Sequence, residues 1–100
     1  YSPDGKLLAA ACFDANVRLW DVAGESPTER PALAGHNGWV TSLAFAPDAA
    51  KATLYSVDSW GKLLAQDAAN VKTLWAVDAA HDGWVRSLAV SPDGSTLATT

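Results

Sequence analysis

Residues 33–50 of the chain read LAGHNGWVTSLAFAPDAA, and residues 78–95 read DAAHDGWVRSLAVSPDGS. Aligned without a gap, the two segments are identical at ten of 18 positions, and they are offset by 45 residues. Self-similarity at a fixed period of this length indicates a repeat architecture, in which each repeat is one supersecondary unit. The opening residues 1–5, YSPDG, match the turn in both segments, so the chain carries parts of three repeats.

Each repeat unit reads as short strands separated by turn signals. The Pro-Asp-Gly sequences at 3–5 and 92–94 are typical of β-turns, because Pro presets φ and Gly tolerates a positive φ. Between the turns, apolar residues are interspersed with small or polar ones, as in strands that are largely buried. These segments cover residues 7–12, 17–20, 40–45, 52–57, 63–66 and 71–77.

Four short strands in a period of about 45 residues are typical of a β-propeller blade. Helical repeats of roughly 40–47 residues have a similar period, but the closely spaced Pro, Gly and Asp turns leave no room for their long helices. The alanines of residues 62–69 would allow a helix there, yet a lone helix would break the rhythm of the repeat. We therefore predict a strand in that segment.

Composition and charge narrow the range of possible binding partners and locations. The chain has 100 residues, 49% of them apolar and 18% charged, which is a globular composition. Its net charge of −4 argues against nucleic acid, and its seven scattered Lys and Arg argue against a membrane surface. The single cysteine, Cys12, excludes an internal disulfide and fits a reducing compartment. A cytoplasmic location is the resulting default expectation.

The order of the motifs resembles the WD-repeat family. Gly35 and His36 precede a strand and a Pro-Asp turn, and residues 14–21 of the preceding unit read DANVRLWD, with the Trp-Asp pair that names the family. The last copy departs slightly, because it has Ala80 before His81. The resemblance spans essentially the whole chain. It implies an all-β fold: a partial WD-repeat β-propeller with one complete four-stranded blade flanked by two incomplete blades.

In this family, each repeat begins with the outermost strand of one blade and continues with the inner strands of the next. The resemblance therefore implies one propeller fragment with a partial blade at about 1–34, a complete blade at about 36–78 and a partial blade at about 81–100. A ring typically takes four to eight blades, so we expect further blades of the parent chain on both sides. The implied strands are about 7–12, 16–21, 29–34, 39–45, 52–57, 62–67, 71–77, 84–90 and 96–100.

Blades of the family often contain a buried network of His, Ser or Thr, Asp and Trp. A buried imidazole needs partners for both nitrogens, and a buried carboxylate needs donors. The residues that match this pattern are Asp14 and Trp20 in the first blade, His36 and Ser56 in the central blade, and His81 and Thr99 in the last blade.

The central blade departs most from the family pattern. Trp60 stands where the network Asp belongs, and Gln66 stands where the Trp belongs. We expect this network to be broken, with packing stabilising the blade. In the alternative, Asp58 replaces the missing carboxylate through a shifted turn, and Gln66 donates in place of the indole.

The resemblance also indicates a binding face, where the loop before each inner strand and the turn between the second and third strands open together. Indoles are typical anchors of protein interfaces. Trp60 is the strongest candidate because it replaces a buried Asp and does not recur. For the repeat-equivalent Trp39 and Trp84, packing between blades is an equal alternative. The candidate partner contacts are Phe13, Asn37, Trp39, Trp60, Asp82 and Trp84.

We therefore expect a protein-interaction scaffold that binds protein partners and is not an enzyme, with no cofactor and no metal. The two histidines occupy equivalent repeat positions, which favours a structural role over a metal pair. A second reading is a propeller that targets a larger enzyme, such as a kinase or protease, whose catalytic part lies outside these residues. A small-molecule or catalytic propeller ranks last, because the inner strands begin with Trp-Val and offer no titratable group.

Overall fold

The protein, represented by a computed structural model that describes residues 1–48 and 50–100, consists of β-strands joined by short turns. Neither described stretch contains an α-helix, and none of it could cross a membrane as a helix. The strand predicted near residues 62–67 is present. The described residues form nine strands: β1 (Leu7–Ala11), β2 (Val17–Asp21), β3 (Thr28–Leu33), β4 (Val40–Phe45), β5 (Thr53–Asp58), β6 (Leu63–Asp67), β7 (Lys72–Val77), β8 (Leu88–Val90) and β9 (Leu97–Thr99).

The strands form three antiparallel sheets in chain order. The first sheet has the order β1-β2-β3, the central sheet β4-β5-β6-β7, and the third sheet β8-β9. Every pairing joins strands that are neighbours in the sequence, as in the blades of a propeller. One four-stranded sheet therefore lies between two smaller ones, which confirms the predicted fold class.

The observed strand bounds agree with the expected ones to within one or two residues, except at β8. A strand was expected over 84–90, but the structure forms it only at Leu88–Val90. Two backbone hydrogen bonds extend the pairing: the Arg86 N–H donates to the Thr100 carbonyl over 2.7 Å, and the Thr100 N–H donates to the Ser87 carbonyl over 3.1 Å. Residues 84–87, at the start of the expected strand, lie outside β8.

The apolar cores lie between the sheets rather than inside one of them. Alternate residues of a strand point to opposite faces, so Leu54 of β5 packs toward the first sheet while Val57 packs toward the third. The buried cluster between the first and central sheets contains Leu7, Val17, Leu19, Leu33, Val40, Leu54 and Ala68, and the cluster between the central and third sheets contains Val57, Leu63, Val85 and Leu88.

Hydrogen bonds also join each inner strand to the preceding sheet. The Val40 N–H, at the start of β4, donates to the Cys12 carbonyl over 3.2 Å, and the equivalent Val85 N–H donates to the Asp58 carbonyl over 3.1 Å. The Thr41 hydroxyl donates to the Val85 carbonyl. These bonds place the beginning of each inner strand beside the turn between the second and third strands of the blade before it.

Candidate binding surface and the buried network beneath it

A buried histidine links the loop before β4 to strand β5. The Nδ1 atom of His36 lies 2.9 Å from Oδ2 of Asp58, and its Nε2 atom lies 2.7 Å from Oγ of Ser56. The side chains of His36 and Asp58 are fully inaccessible to solvent. Burial lowers the pKa of His36 below 6.5 although the Asp58 carboxylate opposes the shift, so the ring is neutral near pH 7. The Nδ1–H therefore donates to Asp58, and Nε2 accepts from the Ser56 hydroxyl.

The carboxylate of Asp58 receives donors on both oxygens. Besides His36, Oδ2 accepts the Asn37 N–H over 3.2 Å, and Oδ1 accepts the N–H groups of Trp60 and Lys62, each over 2.9 Å. Burial alone would raise the pKa of Asp58, but the bonds from Lys62, His36, Trp60 and Asn37 together lower it. Asp58 is therefore an ionised carboxylate held by four donors.

The expectation that the network of the central blade is broken is wrong. Asp58 supplies the carboxylate two residues earlier than the family pattern places it, at the last position of β5. Gln66 does not complete the network: its amide donates to the Ala34 carbonyl over 2.8 Å and lies 3.3 Å from the Thr73 hydroxyl. The shifted Asp keeps the buried bonds and leaves position 60 free to carry an exposed side chain.

Of the two incomplete blades, the third shows part of the expected network, whereas Asp14 and Trp20 of the first do not form a buried network among the described residues. In the third blade, Nε2 of His81 lies 2.5 Å from Oγ1 of Thr99, as expected. In the first blade, Asp14 is exposed and accepts the Asn16 N–H over 3.1 Å and the Arg18 guanidinium over 2.6 Å, and both bonds lower the pKa of Asp14. Trp20 is half-buried on β2.

Four aromatic side chains converge on one cleft of about 530 Å³, and we call them the aromatic surface: Phe13, Trp39, Trp60 and Trp84. The ring of Phe13 stacks on Trp39 with centroids 4.8 Å apart, and Trp84 meets Trp39 edge-on at 5.5 Å. All four remain exposed, at 74% for Phe13, 44% for Trp39, 69% for Trp60 and 53% for Trp84. Trp39 and Trp84 thus touch across neighbouring sheets and still present about half of their surface.

The turn between β5 and β6 holds Trp60 in place. Asp58 accepts the Trp60 N–H at one end of the turn, and the next residue, Ser59, is bonded twice to Trp39. In that pair, the Ser59 N–H donates to the Trp39 carbonyl over 2.9 Å, while the Ser59 hydroxyl accepts the Trp39 N–H over 3.0 Å. The buried carboxylate therefore orders the turn that presents the indole.

Two glycines allow close approach around this turn. A Cβ atom on Gly38 would lie 2.3 Å from Cδ1 of Trp60, so the indole rests directly on the glycine. Gly61 adopts a φ of +92°, and a Cβ atom there would lie 2.2 Å from the carbonyl oxygen of His81. The second contact, together with the bond from the Ala80 N–H to the Gly61 carbonyl, joins the turn to the lead-in loop of the next blade.

The structure brings five of the six candidate contact residues to the cleft. Asn37 lines it together with the four rings, whereas Asp82 is exposed nearby in the sequence but does not line it. The sequence reasoning missed Ser59 and assigned Asp14 only to the network, although both line the cleft. Asp14 occupies the same turn of the first blade that Trp60 occupies in the central one, and this repeat equivalence is the signal that could have identified it.

Two other features of the sequence lie away from the cleft. Trp75 packs on Tyr55 at a ring distance of 6.0 Å on the outer strand β7. Cys12 is half-buried, with its Sγ 3.7 Å from the Ala10 carbonyl. Within residues 1–48 and 50–100, no group of three or more His, Cys, Asp or Glu is placed to hold a metal ion.

Antiparallel sheets that pack face to face are the blades of a β-propeller. In the central and third sheets, the histidine of the lead-in loop also bonds to the second strand. The model of the family described as "WD domain, G-beta repeat" matches residues 1–21, 28–63 and 71–100, and the chain therefore belongs to the WD-repeat family. Domains of this family generally serve as non-catalytic modules that bind protein partners.

The known proteins that this chain resembles also contain WD repeats, and the similarity covers only part of each of them. The human WD repeat and SOCS box-containing protein 1 is 41% identical over 49 residues, which are 48% of this chain and 11% of that protein. The WD repeat and FYVE domain-containing protein 2 of Caenorhabditis briggsae is 40% identical over 62 residues, 62% of this chain and 14% of that protein. The solved structure of U3-55K superposes with a TM-score of 0.78 and 24% identity, covering 87% of this chain and 25% of that one. The chain thus spans a minor part of each.

Proposed function

We propose that this chain forms the partner-binding part of a non-catalytic propeller scaffold, with the aromatic surface as the contact. One observation carries the proposal: three indoles and a phenyl ring stay exposed around a single cleft instead of packing into the cores between the sheets. Interface hot spots are enriched in Trp and cluster in pockets of this kind.

The construction of the surface supports the proposal. Trp60 replaces the carboxylate that a family blade carries at that position, and Asp58 takes over the buried bonds. No aromatic ring packs against its indole within the described residues. Ring stacking therefore does not offset the cost of exposing this apolar side chain to water in the free protein. A partner that covers it would bury apolar area at about 25 cal/mol per Å².

Removing the Trp60 indole tests the proposal. Trp60→Ala in the full-length protein should lower the affinity for a captured partner at least about tenfold, because truncating a hot-spot residue costs about 2 kcal/mol or more. The measurement compares partners cross-linked to the two proteins by quantitative mass spectrometry, followed by titration of the partner most depleted by the variant.

Trp75→Ala is the matched control, because Trp75 is an exposed tryptophan of β7 outside the cleft. It should leave the same affinity unchanged. Equal capture by the wild-type protein and by Trp60→Ala would contradict the proposal.

The whole protein is proposed to contain further blades and further domains. The chain covers only a quarter of the solved structure of U3-55K, and the two relatives are named for WD repeats together with a SOCS box or a FYVE domain. A propeller that targets an attached domain, catalytic or not, is the second candidate function. Under that reading, deletion of the propeller would change where the attached domain acts and not its intrinsic rate. A cytoplasmic location stays a prediction.

A further inference from the structure

We propose that the cleft of the aromatic surface takes a cationic side chain, Arg or Lys, of a partner polypeptide, and that this side chain lies against the indole of Trp60. The inference rests on the proposed function, because it names the chemistry by which that partner is recognised. It follows from two independent properties of the cleft, the free ring faces and the distribution of charge.

The rings differ in how much of their π-surface is available. Trp39 already has Phe13 stacked on one face and Trp84 at right angles to it, and 44% of its surface remains exposed. Trp60 has no aromatic ring packed against it in the described part of the chain, and it is 69% exposed. Indole is the side chain that attracts a cation most strongly through its π-face. As the most exposed of the three indoles of the cleft, Trp60 offers the largest free surface for a cation.

The charged groups around the cleft are mainly carboxylates, which attract a cation. Among the described residues, Asp14 is the only ionised side chain that lines it, and one oxygen of the ionised Asp58 carboxylate lies 2.9 Å from the Trp60 backbone nitrogen. His36, the side-chain partner of Asp58, is neutral near pH 7 and does not cancel that charge. Within residues 1–48 and 50–100, no lysine or arginine lines the cleft.

Arg18 and Lys62, which follow the two turns that line the cleft, are already engaged by carboxylates. Arg18 lies between Asp14 at 2.6 Å and Glu29 at 3.5 Å. Lys62 donates to the Gly35 carbonyl over 2.6 Å and lies 3.7 Å from the Asp78 carboxylate. The rim therefore has an excess of negative charge, which opposes an acidic guest or a phosphate backbone and favours a basic one.

The size of the cleft fits a side chain with its flanking backbone. A volume of about 530 Å³ lies within the usual range of about 300–1,000 Å³ for specific sites. Arg and Lys also carry long apolar stems, which can cover the exposed Phe13 and Trp84 while the charged head meets the indole.

The test uses the full-length protein with fluorine-labelled tryptophan, in which each indole gives its own resonance. Short blocked peptides that differ only in a central Arg, Lys, citrulline, norleucine or Glu are titrated, and Trp60→Phe assigns the resonance of Trp60. We expect saturable shifts at Trp60, with Arg and Lys peptides binding about two- to fivefold tighter than citrulline and norleucine peptides, and Glu weakest. The preference should shrink as salt is added.

Each outcome decides the inference separately from the proposed function. Equal binding of norleucine and Lys, or a preference for Glu, would overturn the cationic guest while leaving an aromatic binding surface in place. The absence of any saturable shift at Trp60 would also overturn it, whatever the capture experiment with Trp60→Ala shows. Shifts confined to Trp75, on the outer strand, would place the binding elsewhere and overturn it as well.

Discussion

At the scale of single residues, the Asp58 carboxylate accepts more hydrogen bonds than any other described side chain of the central blade. Replacing Asp58 by Ala would leave the Nδ1–H of His36 and the N–H groups of Asn37, Trp60 and Lys62 without their acceptor. Each buried donor left unpaired costs about 1–3 kcal/mol, so we expect the free energy of unfolding to fall by at least about 3 kcal/mol. Denaturant titration of the full-length protein measures it.

The control for this loss is Asp21→Ala. Asp21 also ends a strand, β2, and accepts one backbone bond, from the Ala23 N–H over 3.0 Å, but it is exposed. Its removal should change the free energy of unfolding by about 0.5 kcal/mol or less. Similar losses for the two variants would show that Asp58 acts only as a turn residue and not through the buried network.

The same network makes stability depend on pH. The pKa of His36 is lower in the folded protein than its usual 6.5, so below that pH the unfolded chain takes up a proton that the folded chain refuses, and stability falls as the pH falls through this window. The pKa of Asp58 is also lowered, so its contribution is complete above 3.8 and is lost as the pH falls further. Above 6.5 neither group changes its charge on unfolding.

Melting temperatures at about pH 7.5 and about pH 5.5 test the histidine part, because the carboxylates stay ionised across that interval. The wild-type protein should melt at a lower temperature at the more acidic pH, and His36→Asn, which removes the titrating ring, should show a smaller difference. A higher melting temperature at about pH 5.5 would contradict the assignment of a neutral buried His36.

At the scale of strands and turns, the sequence predicts nearly all of the architecture, because each repeat specifies the order of its strands and turns. The turn motifs and the 45-residue offset fix where strands begin, and the structure departs from them clearly only at β8. A strand is defined by its pairing with a neighbour, which a sequence pattern alone does not contain. Neighbours in the sequence pair with each other in all three sheets, so local pattern and tertiary structure coincide.

The buried network shows where positional matching to a family pattern fails and strand geometry succeeds. Matching places the carboxylate at position 60, where the chain has Trp, and therefore predicts a broken network. The alternation of a strand places residues 54, 56 and 58 on one face, so that Ser56 and Asp58 are both available to His36. An Asp that ends a run of apolar and small residues was the signal. The convergence of four rings depends on the angle between sheets, which no single strand encodes.

At the scale of the whole molecule, stability comes from contacts between neighbouring sheets, and this makes adjacent blades unfold together. Leu54 of the central sheet is fully buried in the cluster shared with the first sheet, beside Leu19 and Leu33. Leu54→Ala should lower the free energy of unfolding by about 2–5 kcal/mol, whereas Leu74→Ala, at an exposed position of β7, should lower it by about 0.5 kcal/mol or less.

In an array whose units contact only their neighbours, a cavity at one interface weakens both units that share it. Hydrogen exchange of Leu54→Ala should therefore show faster amides in β1–β3 as well as in β4–β7, and acceleration confined to the central sheet would mean that the blades are held independently.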